Sequence, residues 1–168
     1  MENHKSEKMY KSNDLIGKPV ISVDSGKQIG VIKDLICLWK EGLVKSLYLE
    51  TGNIITKDDA SVPISSFKKF AGDWVPLVTL EKLEELENQE EQYWTKCKGR
   101  KIVSNWGREI GFLTEICFSF PEGKIDHLEI SDGLLKDFLN GREKILFRDI
   151  ETFTENMIII KEKLGGDT

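Results

Sequence analysis

Two acidic residues, Asp34 and Glu115, have the residue type and the matching positions that acid–base chemistry requires. Each lies four residues after a glycine, Gly30 or Gly111. Paired carboxylates can act as general acid and base if the fold brings them within several ångströms of each other. Each could instead contact a polar partner, lie on the outward face of a strand, or accept a hydrogen bond from a nearby turn. We predict Asp34 and Glu115 as candidate partner-binding residues.

The cysteines and histidines are poorly placed for a metal or a nucleophile. Cys37 and Cys117 fall in apolar strands and are expected to face a core, whereas Cys97 lies in a polar linker. His4 is near the N-terminus and His127 stands alone in a strand. A zinc site needs three or four converging ligands. We therefore predict no metal, no cofactor and no catalytic residue, and hence a protein that is not an enzyme.

A basic cluster consists of Lys96, Lys98, Arg100 and Lys101, four positive charges within six residues. Such a cluster can bind a phosphate backbone or another anionic surface. It directly follows residues 80–92, which carry one lysine and six glutamates and account for the net charge of −5. Internal charge balance is the alternative, and we keep the four basic residues as candidate partner-binding positions.

The acidic segment has one apolar stripe. Leu80, Leu83 and Leu86 recur at helical spacing among glutamates, which predicts a helix with a narrow apolar face. These three leucines could anchor a partner or could seal one end of a neighbouring domain. We include them among the candidate partner-binding residues.

An internal repeat determines how these residues are arranged. Residues 26–50 return without a gap as residues 107–131, and six of the 25 aligned pairs are identical, three of them glycines. The repeat predicts a flexible tail at 1–12, a first domain at 13–79, an acidic linker helix at 80–95, a second domain at 96–163 and a tail at 164–168. Domains this small are marginal alone, so we expect the two copies to pack on each other, on the linker helix or on a second chain.

Each copy is rich in short apolar strands. Residues 29–39 and 110–120 are the longest of these runs, and each is followed by a turn that contains glycine and then by another strand. After the second copy's strands, residues 132–139 have helical spacing. The pattern predicts a mainly all-β fold of two small barrels in tandem, joined by the acidic helix, because closure removes exposed strand edges.

The motifs of the first copy resemble the PRC-barrel family. They are Ile16-Gly17-Lys18-Pro19-Val20, then Gly26-x-x-Ile29-Gly30-x-x-x-Asp34, then Val62-Pro63-Ile64. The second copy departs from the pattern at Lys101-Ile102 and at Leu146. The family is named after the cytoplasmic domain of the photosynthetic reaction-centre H subunit, and a similar barrel forms part of a ribosome-maturation factor. The resemblance implies six-stranded barrels that dock proteins or ribonucleoprotein particles and share no catalytic residue.

These observations lead to one functional prediction and two alternatives. We expect a non-enzymatic cytoplasmic module that binds protein partners of unknown identity, with self-association as one form of that binding. An RNA- or ribosome-associated accessory factor is the first alternative, and a small-molecule or redox-linked binding protein is the second. The polar N-terminus predicts no signal peptide, no apolar run is long enough to span a bilayer, and an odd number of cysteines suits a reducing compartment.

Overall fold

Strands account for most of the described residues. The computed structural model describes residues 8–51, 59–68, 72–77, 91–131 and 143–162. The predicted tail residues 1–7 and 164–168, most of the acidic segment, including Leu80, Leu83 and Leu86, and the predicted helix at 132–139 lie outside these ranges. The mainly all-β fold class and the two tandem barrel-like units are confirmed.

The elements follow one another in the same order in both copies, except that the second copy has one additional strand near its end. In chain order they are β1 Lys8–Lys11, α1 Ser12–Leu15, β2 Pro19–Ser22, β3 Gln28–Leu38, β4 Leu43–Glu50, β5 Asp59–Pro63, β6 Val75–Leu77, β7 Glu91–Tyr93, α2 Trp94–Cys97, β8 Lys101–Ser104, β9 Glu109–Phe120, β10 Ile125–Ser131, β11 Glu143–Leu146, β12 Ile150–Phe153 and β13 Met157–Ile160.

Each copy contributes one sheet, and the two sheets have corresponding topologies. The first has the order β5-β4-β3-β2-β6 and the second has β11-β10-β9-β8-β13-β12. In the first sheet β2 pairs in parallel with β6, with Val20 beside Val75. In the second sheet β8 pairs in parallel with β13, with Ile102 beside Ile158. A bridge from Phe67 to Leu77 links the last strand of the first sheet back to the turn after β5, as barrel closure requires. The second copy adds the strand β12.

The entry segment of each copy docks on the other copy. β1 pairs with β9, with Lys11 opposite Cys117, and β7 pairs with β3, with Tyr93 opposite Ile36. The predicted tail therefore ends before residue 8, and the predicted linker helix does not include residues 91–93, which form a strand. Sequence reasoning missed both strands because their partners lie far away along the chain and their own patterns are short.

The two copies meet at a local twofold axis. The Val44 N–H donates to the Gly123 carbonyl at 2.7 Å, and the Ile125 N–H donates to the Gly42 carbonyl at 2.8 Å. Each residue of one bond is the repeat equivalent of a residue in the other. The contact is thus the intramolecular counterpart of a symmetric dimer interface, in which the same patch is used twice.

One hydrophobic core runs through both copies. Leu47 and Leu128, at equivalent positions, are both fully buried and belong to the same cluster. Trp39 of the first copy stacks on Phe153 of the second with ring centroids 3.9 Å apart. The expectation that the small domains pack on each other is confirmed. None of the helices found in the described residues is long and apolar enough to cross a membrane.

Candidate functional site

Asp34 lies on β3 and binds the start of α2. The Thr95 N–H donates to Oδ1 of Asp34 at 3.1 Å, and the Thr95 hydroxyl donates to Oδ2. The N–H of Leu35 also donates to Oδ1, at 2.8 Å. A carboxylate at this place satisfies N–H groups that the first turn of a helix leaves without partners, and it complements the positive end of the helix.

Glu115 makes the equivalent contacts with α1. The Asn13 N–H donates to Oε1 of Glu115 at 2.8 Å, and the Asn13 amide donates to Oε2 at 2.7 Å. The Ser12 hydroxyl also donates to Oε1. Asn13 and Thr95 occupy matching places in the two entry helices, so the same cap is built twice, each time across the boundary between the copies.

Both acidic residues therefore accept hydrogen bonds from other residues of the same chain. Asp34 and Glu115 are buried, and each caps a different helix. The sequence left open a hydrogen bond from a nearby turn, but most of the donors belong to Thr95, Ser12 and Asn13, which lie more than 60 residues away in the entry segment of the other copy. The carboxylates hold the exchanged entry segments in place, and an outside partner would have to displace these segments to reach them.

The basic cluster is also engaged at every position. The Lys96 ammonium lies 5.2 Å from the centre of the Tyr93 ring, and Lys98 donates to the Asn13 side-chain carbonyl at 3.1 Å. The other two members bind second-copy residues: Arg100 donates to the Thr154 carbonyl at 2.6 Å, and Lys101 pairs with Glu109 at 3.0 Å. The predicted charge balance with residues 80–92 involves residues outside the described ranges.

A cluster that sequence reasoning missed lies on the second copy. Cys117 and His127 are directly opposite each other on β9 and β10, and Glu129 follows His127 on the same strand face. A sulfur, a ring nitrogen and a carboxylate oxygen of these residues all lie within 4.8 Å of one another. The prediction that His127 stands alone is thus wrong. The alternating spacing of His127 and Glu129, and the short turn before them, were the signals that could have revealed the cluster.

The cluster borders the exchanged strand β1. The Lys11 ammonium pairs with Oε1 of Glu129 at 2.6 Å, and this contact raises the pKa of Lys11. Burial raises the pKa of the Cys117 thiol to about 11, and the nearby Glu129 carboxylate adds to the effect. At neutral pH the thiol is therefore protonated, the lysine is charged, and the acid on β10 has a cation beside it.

The other two cysteines are buried in the core. Cys37 faces the core as predicted, and burial raises the pKa of its thiol well above the usual value. Cys97 was expected in a polar linker, but it is fully buried at the end of α2 and accepts a hydrogen bond from the Trp39 indole N–H at 3.2 Å. The pattern Trp94-x-x-Cys97 marks the apolar face of this short helix, which the polar neighbours conceal in the sequence.

Exposed apolar side chains occur at the turns and strand starts of both copies. Trp106 is 69% exposed in the turn between β8 and β9, and Val23 is exposed in the equivalent turn of the first copy. Trp74, which is 48% exposed, directly precedes β6, and Met157 occupies the matching place in β13. None of these residues was singled out in the sequence, because a tryptophan beside turn residues reads equally well as a core residue.

An open cleft lies where the two copies meet. It has a volume of about 510 Å³ and is lined mainly by aromatic and aliphatic side chains, among them Trp39, Phe147, Ile150 and Phe153. Lys40, Gln92 and Glu151 supply polar and charged groups. The apolar lining residues mainly support one another, as the stacked Trp39 and Phe153 rings do.

Comparison with known proteins bears on the repeat directly. A family model described as the PRC-barrel domain matches the chain twice, over residues 7–83 and 89–162. Each match begins at an entry strand, so the unit that repeats in sequence includes a segment that docks on the other copy in space. Among curated proteins, none matches the chain.

Proposed function

The chain belongs to the PRC-barrel domain family, and on that premise we propose that it is a non-enzymatic protein-interaction module. Its two barrels form a single rigid platform, and its partner is another protein. A fold of this kind does not itself assign a function, so the proposal rests on which groups the chain leaves exposed and which it uses internally.

The two residues best suited to acid–base chemistry have a structural role instead. Asp34 and Glu115 each satisfy the start of a helix, and three donors converge on each carboxylate. A general acid or base must reach a substrate proton directly or through one water. Neither carboxylate has that freedom while the entry segments are docked, which favours binding over catalysis.

The exposure of Trp106 and Trp74 is the observation that carries the proposal. Tryptophan buries a large area at a low cost in side-chain entropy when a partner binds, and it is enriched at the energetic centres of protein interfaces. Both lie beside turns that a shared core holds in place, so little ordering is needed when a partner binds. We propose that these two side chains are contact points for the partner.

The described contacts give less support to RNA binding. Arg100 and Lys101 of the basic cluster already pair with groups of the second copy. Binding to a phosphate backbone would weaken steeply as salt is added, because each contact releases counterions. Salt dependence therefore separates this alternative from a protein interface built on tryptophan.

We also propose that the protein works in the cytoplasm. Cys37, Cys97 and Cys117 are all free thiols and all buried. Proteins of oxidising compartments commonly use their cysteines in disulfides, whereas reduced cysteines are typical of the cytoplasm. Fractionation of host cells, followed by detection of the full chain, tests this location.

Crosslinked capture from host lysate at low and high salt tests the function. We expect the same protein to be recovered at both salt concentrations, and the recovery to fall at least about tenfold with Trp106→Ser and Trp74→Ser, as loss of an interface hot spot predicts. Mass-based sizing of the purified chain reports self-association in the same samples.

Lys27→Ser is the matched control, because Lys27 is exposed in the turn that corresponds to that of Trp106. It should leave capture unchanged. Trp106→Ser and Lys27→Ser should keep the wild-type melting temperature, since exposed substitutions rarely change stability by more than about 0.5 kcal/mol. Trp74→Ser also removes the buried half of that side chain, so its melting temperature is measured beside its capture result. A strict monomer that captures nothing, or capture that is lost only at high salt, would count against the proposal.

A further inference from the structure

The cluster of Cys117, His127 and Glu129 has the geometry of a ligand set. The Cys117 sulfur lies 3.9 Å from Oε1 of Glu129, and the nearest ligand atoms of all three residues are within 4.8 Å of one another. The three side chains project from one face of the paired strands β9 and β10. A rigid hairpin therefore fixes their relative positions, and small rotamer changes would bring them around one ion.

His127 is held in the way that metal-binding histidines are held. Its Nδ1 atom contacts the Asp126 carboxylate at 2.7 Å, and its side chain is 12% exposed. Its Nε2 atom is buried and has no hydrogen-bond partner among the described residues. A carboxylate on one ring nitrogen fixes the tautomer and leaves the lone pair of the other nitrogen available to a metal.

At the equivalent place, the first copy has none of the three metal-ligating side chains. Ile36, Ser46 and Tyr48 occupy the positions that correspond to Cys117, His127 and Glu129. The hydroxyls of Ser46 and Ser61 are 2.8 Å apart, and the Tyr48 ring packs on the Tyr93 ring at 5.3 Å. The first copy thus has an aliphatic side chain, a hydrogen-bonded hydroxyl and an aromatic ring at this place. The second copy has three side chains of the kinds that bind metal ions.

The geometry points to a binding site for a zinc-class divalent cation in the second copy, with the Cys117 sulfur, the His127 Nε2 atom and a Glu129 oxygen as ligands. Sulfur and imidazole ligands suit zinc and related transition metals, whereas calcium and magnesium prefer oxygen. Three protein ligands leave a fourth position of a tetrahedral site for water.

Lys11 competes with the cation for Glu129. Its ammonium is 2.6 Å from Oε1, but 46% of its side chain is exposed, so the lysine can turn towards solvent when a metal ion binds. As the sulfur–metal bond forms, the Cys117 thiol gives its proton to water, and neither the metal nor the sulfur changes oxidation state. Cation binding is therefore linked to the contact between β1 and β10.

Titration of the chelator-treated full chain with zinc chloride, followed by calorimetry, tests the site. We expect one equivalent to bind, with release of protons to the buffer. Cobalt(II) should give the intense absorption of a sulfur-to-metal charge transfer. Cys117→Ser and His127→Gln should each weaken zinc binding at least about tenfold, since even outer-shell changes have that effect.

Cys37→Ser and Cys97→Ser are the matched controls, because both remove a buried thiol away from the cluster, and they should leave zinc binding unchanged. Lys11→Met should tighten it. No zinc binding by the wild-type chain, or binding that survives His127→Gln, would overturn the site. Lys11→Met with unchanged affinity would overturn Glu129 as a ligand. His127→Gln and the wild-type cobalt spectrum keep the test decisive if Cys117→Ser does not fold.

Discussion

At the scale of single residues, Gly42 and Gly123 explain why the repeat preserves its glycines where the two copies meet. Both have positive φ, and both offer their carbonyl to the other copy. A Cβ atom on Gly123 would lie far inside contact distance of the Val44 carbonyl oxygen, and one on Gly42 would overlap the Phe147 ring. These glycines are needed both for their backbone conformation and for the close approach of the copies.

Gly123→Ala should therefore lower the free energy of unfolding by more than Gly107→Ala does. Both positions have positive φ, +74° and +83°, but a Cβ on Gly107 meets nothing within 4 Å. Gly107→Ala should cost about 1–2 kcal/mol through the backbone alone. Gly123→Ala adds a clash with backbone that cannot turn away, for a total above about 3 kcal/mol. Urea unfolding measures both, and equal losses would contradict the close-contact explanation.

At the scale of elements, the reciprocal docking of β1 and β7 is the main feature. Each entry strand pairs with the longest strand of the other copy, and each following helix is capped by an acid from that strand. Tyr10 strengthens one of the two contacts by packing on Phe118 and Phe120. The pairing of β1 with β9 and of β7 with β3 links the copies through backbone hydrogen bonds at two places in addition to the twofold contact.

Amide hydrogen exchange should show that β1 and β7 are each held on the other copy by a separate set of contacts. Asn13→Ala removes a partly buried bond to Glu115 and an exposed one from Lys98. It should speed exchange of the β1 amides about fivefold, as the loss of roughly 1 kcal/mol predicts. The β7 amides should keep their rates. Thr95→Ala should do the reverse, because its hydroxyl bonds Asp34. Each variant is the other's control, and changes that spread equally to both strands would contradict separate docking.

At the scale of the whole molecule, the two barrels share one core and are expected to unfold together. The buried cluster includes strands of both copies, and the Trp39 and Phe153 rings stack across the boundary. A domain of about 75 residues buries too little surface to be secure alone. Fusion through the core compensates for that size and gives the exposed tryptophans a rigid base.

Leu47→Ala and Leu128→Ala should each shift one single unfolding transition. The two leucines are identical, equivalent and fully buried in different copies. Each truncation should cost about 2–5 kcal/mol. Calorimetry should give equal calorimetric and van't Hoff enthalpies for both variants, as a two-state transition requires. Two resolved transitions, with one moved by each variant, would show that the barrels unfold independently.

The local elements of this protein could be predicted from its sequence. The constant spacing of the repeat identified two equivalent units, and runs rich in apolar residues located the long strands to within about a residue of Gln28–Leu38 and Glu109–Phe120. Turn glycines and the family motifs then indicated small barrels. The strands and turns depend on residues close together in the chain, and such patterns report local geometry directly. The repeat needs only a comparison of the sequence with itself.

The partners of these elements were decided by tertiary structure alone. The pairing of β1 with β9, the capping of helices by Asp34 and Glu115, and the meeting of Cys117 with His127 and Glu129 all join residues whose side chains or strands meet only after folding. Burial of apolar surface between the copies selects the first two of these pairings, and the register of the β9–β10 hairpin selects the third. The sequence by itself determined the two units, and only their packing determined which side chains meet.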